Sequence, residues 1–449
     1  MRVLAKDIAE AAKTRPETEV EAAGWVHRVR DMGGISFVIL RDRSGLAQLV
    51  LAEGTAAAWP ELTLESVIRV KGIPALNEKA PGGAELRLTS LEILSRSAPD
   101  LPYQVNGDVS KTGLEAILDN RTLSLRNPKI RSIFKVQDTI IEAFAAYLRS
   151  RDFTEIKSSK LTAGSTEGGT NLFQVDYFDR KLYLAQSPQM YKEAMVASGL
   201  ERVFEIGPVY RAEKHDTPRH LNEYVSLDVE IGFIESEIEL IDLEKELLAF
   251  IFQELARKNA ADLAVWNAAV PSPEAVAKAP TVNYEEALKL VNDELARGKK
   301  GPIPASSRIF DINPEAERLL CEWSLREHGA DLVFVNAFPR RHRPFYTYPL
   351  DAGDNAAGAL TMSFDAIFRG LEITSGSRRQ HDYDAVVETL PKFGLKPENM
   401  AAYIQILKYG CPPHGGFAIG CERLTQKILG LGNVKEASLF PRDRRRVEP

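Results

Sequence analysis

Between residues 18 and 96 the apolar positions fall in short runs broken by turn residues: VEAAGWVHRV, ISFVILRD, LAQLVLA, SVIRVKGI and AELRLTSLEIL. This pattern predicts five strands, and the Asp, Ser and Gly of RDRSG predict a tight hairpin between the second and third. Five short strands in so brief a span suit a small barrel such as an OB-fold, placed over residues 1–100. Residues 101–130, entered through SAPDLPYQVNGD, read as a hinge. The period then changes. In RSIFKVQDTIIEAFAAYLRS, residues 131–150, Ile133, Phe134, Val136, Ile140, Ile141, Phe144 and Leu148 recur at three and four and predict an amphipathic helix. It opens a large unit, 131–449, in which strand-like segments alternate with helices, one of them following a candidate N-cap at Ser236. The layout is α+β rather than repeating βαβ. The Ala- and Pro-rich stretch 258–305 reads as an insertion between two halves of a sheet.

Composition narrows this only a little. The 449 residues are 44% hydrophobic and 27% charged, which sets disorder and collagen-like repetition aside. Three cysteines, Cys321, Cys411 and Cys421, are too few for a disulfide framework or a four-ligand zinc site. The N-terminal MRVLAKDIAE lacks a signal-peptide apolar core, and no apolar run is long enough to span a bilayer, so a soluble cytoplasmic protein is expected. A net charge of −6 argues against a uniformly basic surface yet leaves room for a local basic groove facing RNA.

Three segments carry chemistry. In VFEIGPVYRAEKHDTPRHLNEYVSLDVEIGF, residues 203–233, two strand patterns flank a loop holding Lys214, His215, Arg219 and His220. On the returning strand Tyr224, Ser226, Asp228 and Glu230 share one face, while Val225, Leu227, Val229 and Ile231 share the other. Arg211 and Glu213 have matching parity on the incoming side. Such a face alone equally suits a solvated surface; beside an aromatic ring and a cationic loop it offers what an adenine and a polyphosphate require. In SFDAIFRGLEITSGSRRQHD, residues 363–382, a two-residue turn at Arg369–Gly370 would pair Ile367 with Glu372 and set Asp365 diagonal to Glu372. Two converging carboxylates need a cation, either Mg²⁺ bridging to phosphates or neighbouring arginines. In PPHGGFAIGCERLTQKILGL, residues 412–431, a glycine-rich strand leads into a helix with Arg423 in its first turn. Cations normally avoid that end, so an anionic or π-rich ligand is implied, although helix packing is the default reading of such a turn taken alone.

Two smaller segments add to these. Ser187 and Pro188 suit the N-cap and first position of a helix that would present Gln189, Lys192 and Glu193 on one side. The loop LTAGSTEGGTNLFQV, residues 161–175, gathers small residues around Glu167, as a lid or as an ordinary surface loop.

Together the segments resemble the motifs of the class II aminoacyl-tRNA synthetases: the 131–150 helix opens motif 1, the YRAE-to-RH hairpin resembles motif 2, and GGFAIGCERL resembles motif 3. GWVHRVRDMGGISFVILRDRSGLAQLV is similar to the OB-fold anticodon-binding domain of the aspartate, asparagine and lysine subgroup. QSPQMYK, TEGGTNLF, HDTPRHLNEY and FPRDRRR are most similar to its archaeal-type aspartyl branch, which also occurs in bacteria.

The resemblance implies a six-stranded antiparallel catalytic sheet, a homodimer built on motif 1, and Mg²⁺- and ATP-dependent ligation of L-aspartate to tRNA(Asp) and tRNA(Asn). It casts Arg211 on the α-phosphate, Glu213 on the adenine amino group, Tyr224 stacked on adenine, and His220 and Arg423 on the outer phosphates. Asp365, Glu372 and Ser375 would hold Mg²⁺. Lys192 and Arg379 would clamp the aspartate side chain, and Glu167 and Gln189 would receive its ammonium. In the barrel Arg30, Phe37 and Gln48 would grip anticodon bases, while His27 and Pro81 match relaxed tRNA recognition. Ser159 stands where motif 1 usually ends in proline, and Arg378 and Gln380 depart from the usual run around Arg379.

Overall fold

A computed structural model describes residues 2–31, 36–51, 62–164, 172–214, 216–298, 304–351 and 358–448. The chain divides into two compact units, Met1–Asn127 and Pro128–Pro449.

In the first unit β1 (Val20–Asp31), β2 (Ser36–Arg41), β3 (Leu46–Leu51), β4 (Val67–Leu76) and β5 (Ala84–Ser95) close into a barrel in the order β1-β2-β3-β5-β4. Alternate residues point inward, so Val26, Val38, Leu40, Leu49, Ile68, Val70 and Leu86 fill the interior and are almost fully buried. Residues 109–124, inside the expected hinge, fold as short helices at Val109–Lys111, Leu114–Asp119 and Arg121–Ser124 and belong to this first unit.

The second unit is built on a sheet of β6 (Thr154–Glu155), β10 (Arg202–Tyr210), β11 (Glu223–Gly232), β12 (Thr281–Asn283), β13 (Leu332–Asn336), β14 (Ser363–Phe368), β15 (Leu371–Arg378) and β16 (His414–Gly420). Among the described residues the order is β12-β13-β14-β15-β16-β11-β10-β6. The six central strands are antiparallel throughout; the short edge strands β12 and β6 pair in parallel. A small second sheet joins β7 (Leu161–Thr162), β9 (Arg180–Leu184) and β8 (Gln174–Tyr177).

One face of the large sheet is covered by the helices Pro128–Arg149 and Glu237–Lys258. Ile133, Val136, Ile140, Phe144 and Leu148 are almost fully buried against Leu240, Leu247, Leu248 and Ile251 and the core-facing Phe204, Leu227 and Phe417. At about 1.5–3 kcal/mol for each fully buried large apolar side chain, this layer anchors the sheet. The apolar stripe of the first helix is thus consumed within its own unit. Ser236 caps the second helix in a capping box with Glu239. The opposite face of the central strands carries the polar residues considered next.

Candidate active site

The hairpin of β10 and β11 pairs Tyr210 with Glu223 and Ser226 with Gly207, so Tyr224, Ser226, Asp228 and Glu230 do share a face. That face is not a solvated surface: Ser226, Asp228 and Glu230 are buried. β10 ends at Tyr210, one residue before Arg211, whose backbone N–H still donates to Asn222 O. Arg211 and Glu213 nevertheless converge, 4.0 Å apart. The Arg211 guanidinium lies 5.6 Å from the Tyr224 ring centroid, as a cation over a π face.

Two cavities adjoin on this face and share Arg211, Tyr224, Ser226, Ser375 and Ala418 in their walls. The first gathers Glu213, Arg219, His220, Glu372 and Arg423, bringing the predicted nucleotide residues together. His220 Nδ1 lies 2.6 Å from the Thr217 hydroxyl. Arg423, in the first turn of the helix Cys421–Leu429, donates to Glu372 O at 3.0 Å and lies 3.6 Å from its carboxylate. A cation at that end of a helix is thus compensated by β15 itself.

The second cavity gathers Gln189, Lys192, Asp228, Arg343 and Arg379. The helix here begins at Gln189, one residue later than Ser187 and Pro188 predicted, although Ser187 Oγ does accept from Gln189 N. Lys192 is not at the surface, as a helical lysine usually is, but only 2% exposed. Its ammonium donates to Asp228 Oδ1 at 3.1 Å, Val229 O at 3.3 Å and Phe417 O at 3.4 Å, and stands 3.3 Å from Glu230 Oε2. Arg379 donates to both Glu230 oxygens, at 2.9 and 3.2 Å, and to Ser377 Oγ and Gly416 O. Glu230 therefore joins the two cations at the cavity floor. Burial opposes its charge, but Arg379 and Lys192 hold its carboxyl below the ordinary range. Behind the cavity Gln189 Nε2 donates to Glu193, which also accepts from Tyr403 OH and contacts His414 Nε2 at 3.1 Å. Burial works against the His414 charge, yet hydrogen bonding to Cys411 and Glu193 raises its pKa to about 10.

The carboxylate pair owes its shape to a β-bulge. Arg369 and Gly370, with φ of 49° and 74°, make the expected tight turn, and Ile367 pairs with Glu372 as predicted. Ile373 is then an extra residue, so Asp365 faces Ser375 instead of lying diagonal to Glu372 across a regular ladder. In a regular strand Glu372 and Ser375, three apart, would point to opposite faces. The bulge puts both on one: Ser375 Oγ, with its single hydrogen to donate, lies 2.6 Å from Asp365 Oδ1 and 3.1 Å from Glu372 Oε1. Asp365 also takes two parallel bonds of 2.8 Å from Arg343, which the sequence reading did not single out. Burial pushes Asp365 up despite Arg343; at Glu372 burial is outweighed by Arg423 and Arg343, which hold it low. Among the described residues no three His, Cys, Asp or Glu side chains gather to hold a metal alone. Two carboxylates and a hydroxyl instead suit a hard cation that takes its remaining ligands from phosphate and water.

In the barrel His27 is the extra residue of a second bulge, between Val26 and Arg28. Its Nδ1 lies 3.0 Å from Arg41 Nη1, and Arg41 is locked by two bonds to buried Glu65. Arg30 pairs directly with Phe37, and Gln48 pairs with Ile39, two residues along β2, so all three lie on the outer face of the barrel wall. Pro81 opens a turn between β4 and β5. Glu167 lies outside the described residues.

Residues 113–444 match the family described as tRNA synthetases class II (D, K and N), and residues 20–94 match the OB-fold nucleic acid binding domain. The chain is 44% identical to an aspartate–tRNA(Asp/Asn) ligase of Thermus thermophilus over 100% of both chains. It is 40% identical to an aspartate–tRNA(Asp) ligase of Pyrococcus abyssi over 96% of both. Among solved structures, it resembles an asparaginyl-tRNA synthetase of Pyrococcus horikoshii with asparaginyl-adenylate (TM-score 0.85, 29% identity, 97% of both chains). It also resembles an aspartyl-tRNA synthetase of Entamoeba histolytica (TM-score 0.80, 29% identity, 98% of this chain and 92% of that one). The chain belongs to the class II tRNA synthetases of the D, K and N group.

Proposed function

We propose that the chain is an aspartate–tRNA ligase: it activates L-aspartate with ATP as an aspartyl-adenylate and transfers the aspartyl group to tRNA(Asp) and tRNA(Asn). The observation that carries the amino-acid choice is Lys192, a buried ammonium beside Arg379 in a cavity opening on Arg211. A second carboxylate on the ligand can exchange with the long bonds from Lys192 to Val229 O and Phe417 O, and can accept from Arg379, which lines the same cavity. Lys192 and Arg379 already have Asp228 and Glu230 as counter-charges, but both present only donors. A carboxylate accepts from them through either oxygen, whereas the NH2 end of an amide would face them donor to donor, which argues against asparagine despite the overall likeness to an asparaginyl enzyme.

The two adjoining cavities support a division of labour between the substrates. The nucleotide lies along Tyr224, Glu213, His220 and Arg423, and aspartate lies over Gln189, Lys192 and Arg379, so the α-carboxylate and the α-phosphorus meet at Arg211, which both cavities share. Glu193 accepts from the Gln189 amide nitrogen, so the amide oxygen is the atom left to receive the aspartate ammonium. Attack on the α-phosphorus expels pyrophosphate; the terminal ribose hydroxyl of the tRNA then attacks the adenylate carbonyl and expels AMP. No covalent enzyme intermediate is needed, and catalysis is positioning plus charge neutralisation at Arg211. Asp365, Glu372 and Ser375 would hold Mg²⁺, whose chemistry there is to neutralise phosphate charge. Arg30, Phe37 and Gln48 would take the anticodon, Phe37 by stacking.

The working unit is a homodimer whose interface includes the helix Pro128–Arg149 and β6, an edge strand with an unpaired side among the described residues. A stable, active monomer in sedimentation would refute this assembly. For the reaction, aspartate-dependent exchange of pyrophosphate into ATP, compared with asparagine in place of aspartate, is decisive. Exchange supported by asparagine alone would overturn the reading.

A further inference from the structure

Glu317 belongs to none of the three motif segments and lines neither cavity. It sits in the first turn of the helix Pro314–His328, which Asn313 caps by accepting from Glu315 N and Ala316 N. A carboxylate is favoured at that end. Its side chain is only 6% exposed. Glu317 accepts from Arg219 Nη2 at 2.6 Å and, through its other oxygen, from the backbone N–H of Glu372 at 2.8 Å. From the other side Arg423 donates to Arg219 O at 3.4 Å and to Glu372 O at 3.0 Å.

The same two residues are therefore gripped twice, and the four form a closed ring drawn from four separate segments. Three of its members, Arg219, Glu372 and Arg423, line the nucleotide cavity, and Glu317 stands behind the wall. Stability alone is a weak reason for such an arrangement, because desolvating a carboxylate against one guanidinium often gains nothing over apolar packing. What the ring does do is set the spacing between a loop cation and a strand carboxylate, the two charges a polyphosphate and its counterion meet.

We propose that Glu317 is a positioning residue for the nucleoside triphosphate: it holds Arg219 and Glu372 at fixed separation in the lining of the cavity. The inference rests on reading that cavity as the ATP site. Without Glu317, Arg219 swings free and the Glu372 amide loses its acceptor, so the loss falls on ATP and not on aspartate, whose cations lie at the floor of the neighbouring cavity.

The test is aspartate-dependent pyrophosphate exchange with full-length wild type, Glu317→Gln, Glu317→Ala, Arg219→Ala and the Glu317→Ala/Arg219→Ala double variant, varying ATP and aspartate separately. Glu317→Ala is expected to raise KM for ATP by about tenfold or more, with KM for aspartate within about twofold of wild type. Glu317→Gln, which keeps an acceptor for the Glu372 N–H, is expected to fall between the two. In the Arg219→Ala background the alanine change should cost measurably less than in wild type, because the partner is already gone. If Glu317→Ala fails to fold, the isosteric glutamine variant carries the comparison. Unchanged KM for ATP in the variants, or equal rises for ATP and aspartate, overturns the inference while leaving the ATP site standing; absence of exchange in wild type overturns both.

Discussion

Lys192 and Glu230 stand 3.3 Å apart with side chains 2% and 0% exposed, and Arg379 closes the pair from the other side. Breaking such a group by removing one charge costs far more than the group adds to stability, because its partners stay buried and uncompensated. Lys192→Leu should lower kcat/KM for aspartate in pyrophosphate exchange by roughly hundredfold or more, in line with the few kcal/mol of a desolvated charge pair. Normal aspartate activation by that variant would refute the assignment of specificity.

Arg343 occupies both oxygens of Asp365, one of the two carboxylates assigned to Mg²⁺. On that assignment it would compete with the cation for Asp365. Arg343→Gln should therefore tighten binding of Mn²⁺, used as a paramagnetic stand-in, by several-fold, and Asp365→Asn should weaken it. Titration followed by electron paramagnetic resonance reads both; weaker binding in Arg343→Gln would sink the idea.

Glu244, on the helix Glu237–Lys258, is fully buried, and neither of its oxygens has a hydrogen-bond partner among the described residues. Burial pushes its pKa up to about 8, the nearby Thr374 hydroxyl working the other way and the Asp365 charge adding to the rise. The folded state keeps its proton between the ordinary carboxylate value and that figure, whereas the unfolded state releases it, so stability declines as pH rises across this window. Glu244→Gln should remove that slope and raise stability at pH 8 by on the order of 1–3 kcal/mol. Thermal unfolding of both proteins from pH 5 to 9 measures it; parallel profiles would contradict the claim.

His27 projects from a bulge, where a side chain is re-aimed out of the regular alternation, and its Nδ1 is engaged by Arg41. The anticodons of tRNA(Asp) and tRNA(Asn) differ at their third base, C against U, which are told apart mainly by a donor or acceptor at one exocyclic position. A single imidazole is a slender basis for that choice. Charging of unmodified transcripts should show less than about hundredfold preference for tRNA(Asp), equivalent to less than roughly 3 kcal/mol. His27→Trp should increase the preference by crowding the third base.

Much of this was legible in the chain because it depends on local periodicity. The five barrel strands, the amphipathic helix after residue 128, the turn at Arg369–Gly370 and the shared polar parity of Tyr224, Ser226, Asp228 and Glu230 follow from alternation and turn chemistry alone. The resemblance of three short segments to family motifs added the class of reaction. Glu193, read only as a neighbour of Gln189 and Lys192 on its helix, becomes the acceptor that orients Gln189.

What the chain alone decided was therefore which residues could face together along any one element. Which of them meet across elements was decided by the tertiary structure. The extra residue at Ile373 reverses the strand's parity and brings Ser375 to Asp365 and Glu372, and the bulge at His27 does the same kind of thing in the barrel. Arg343 reaches Asp365 across 22 residues, Arg219 reaches Glu317 across 98, and Arg379 reaches Glu230 across 149. No period in a sequence encodes such pairings; they exist because β-bulges and sheet order set the distances, and the buried charges then take the partners those distances allow.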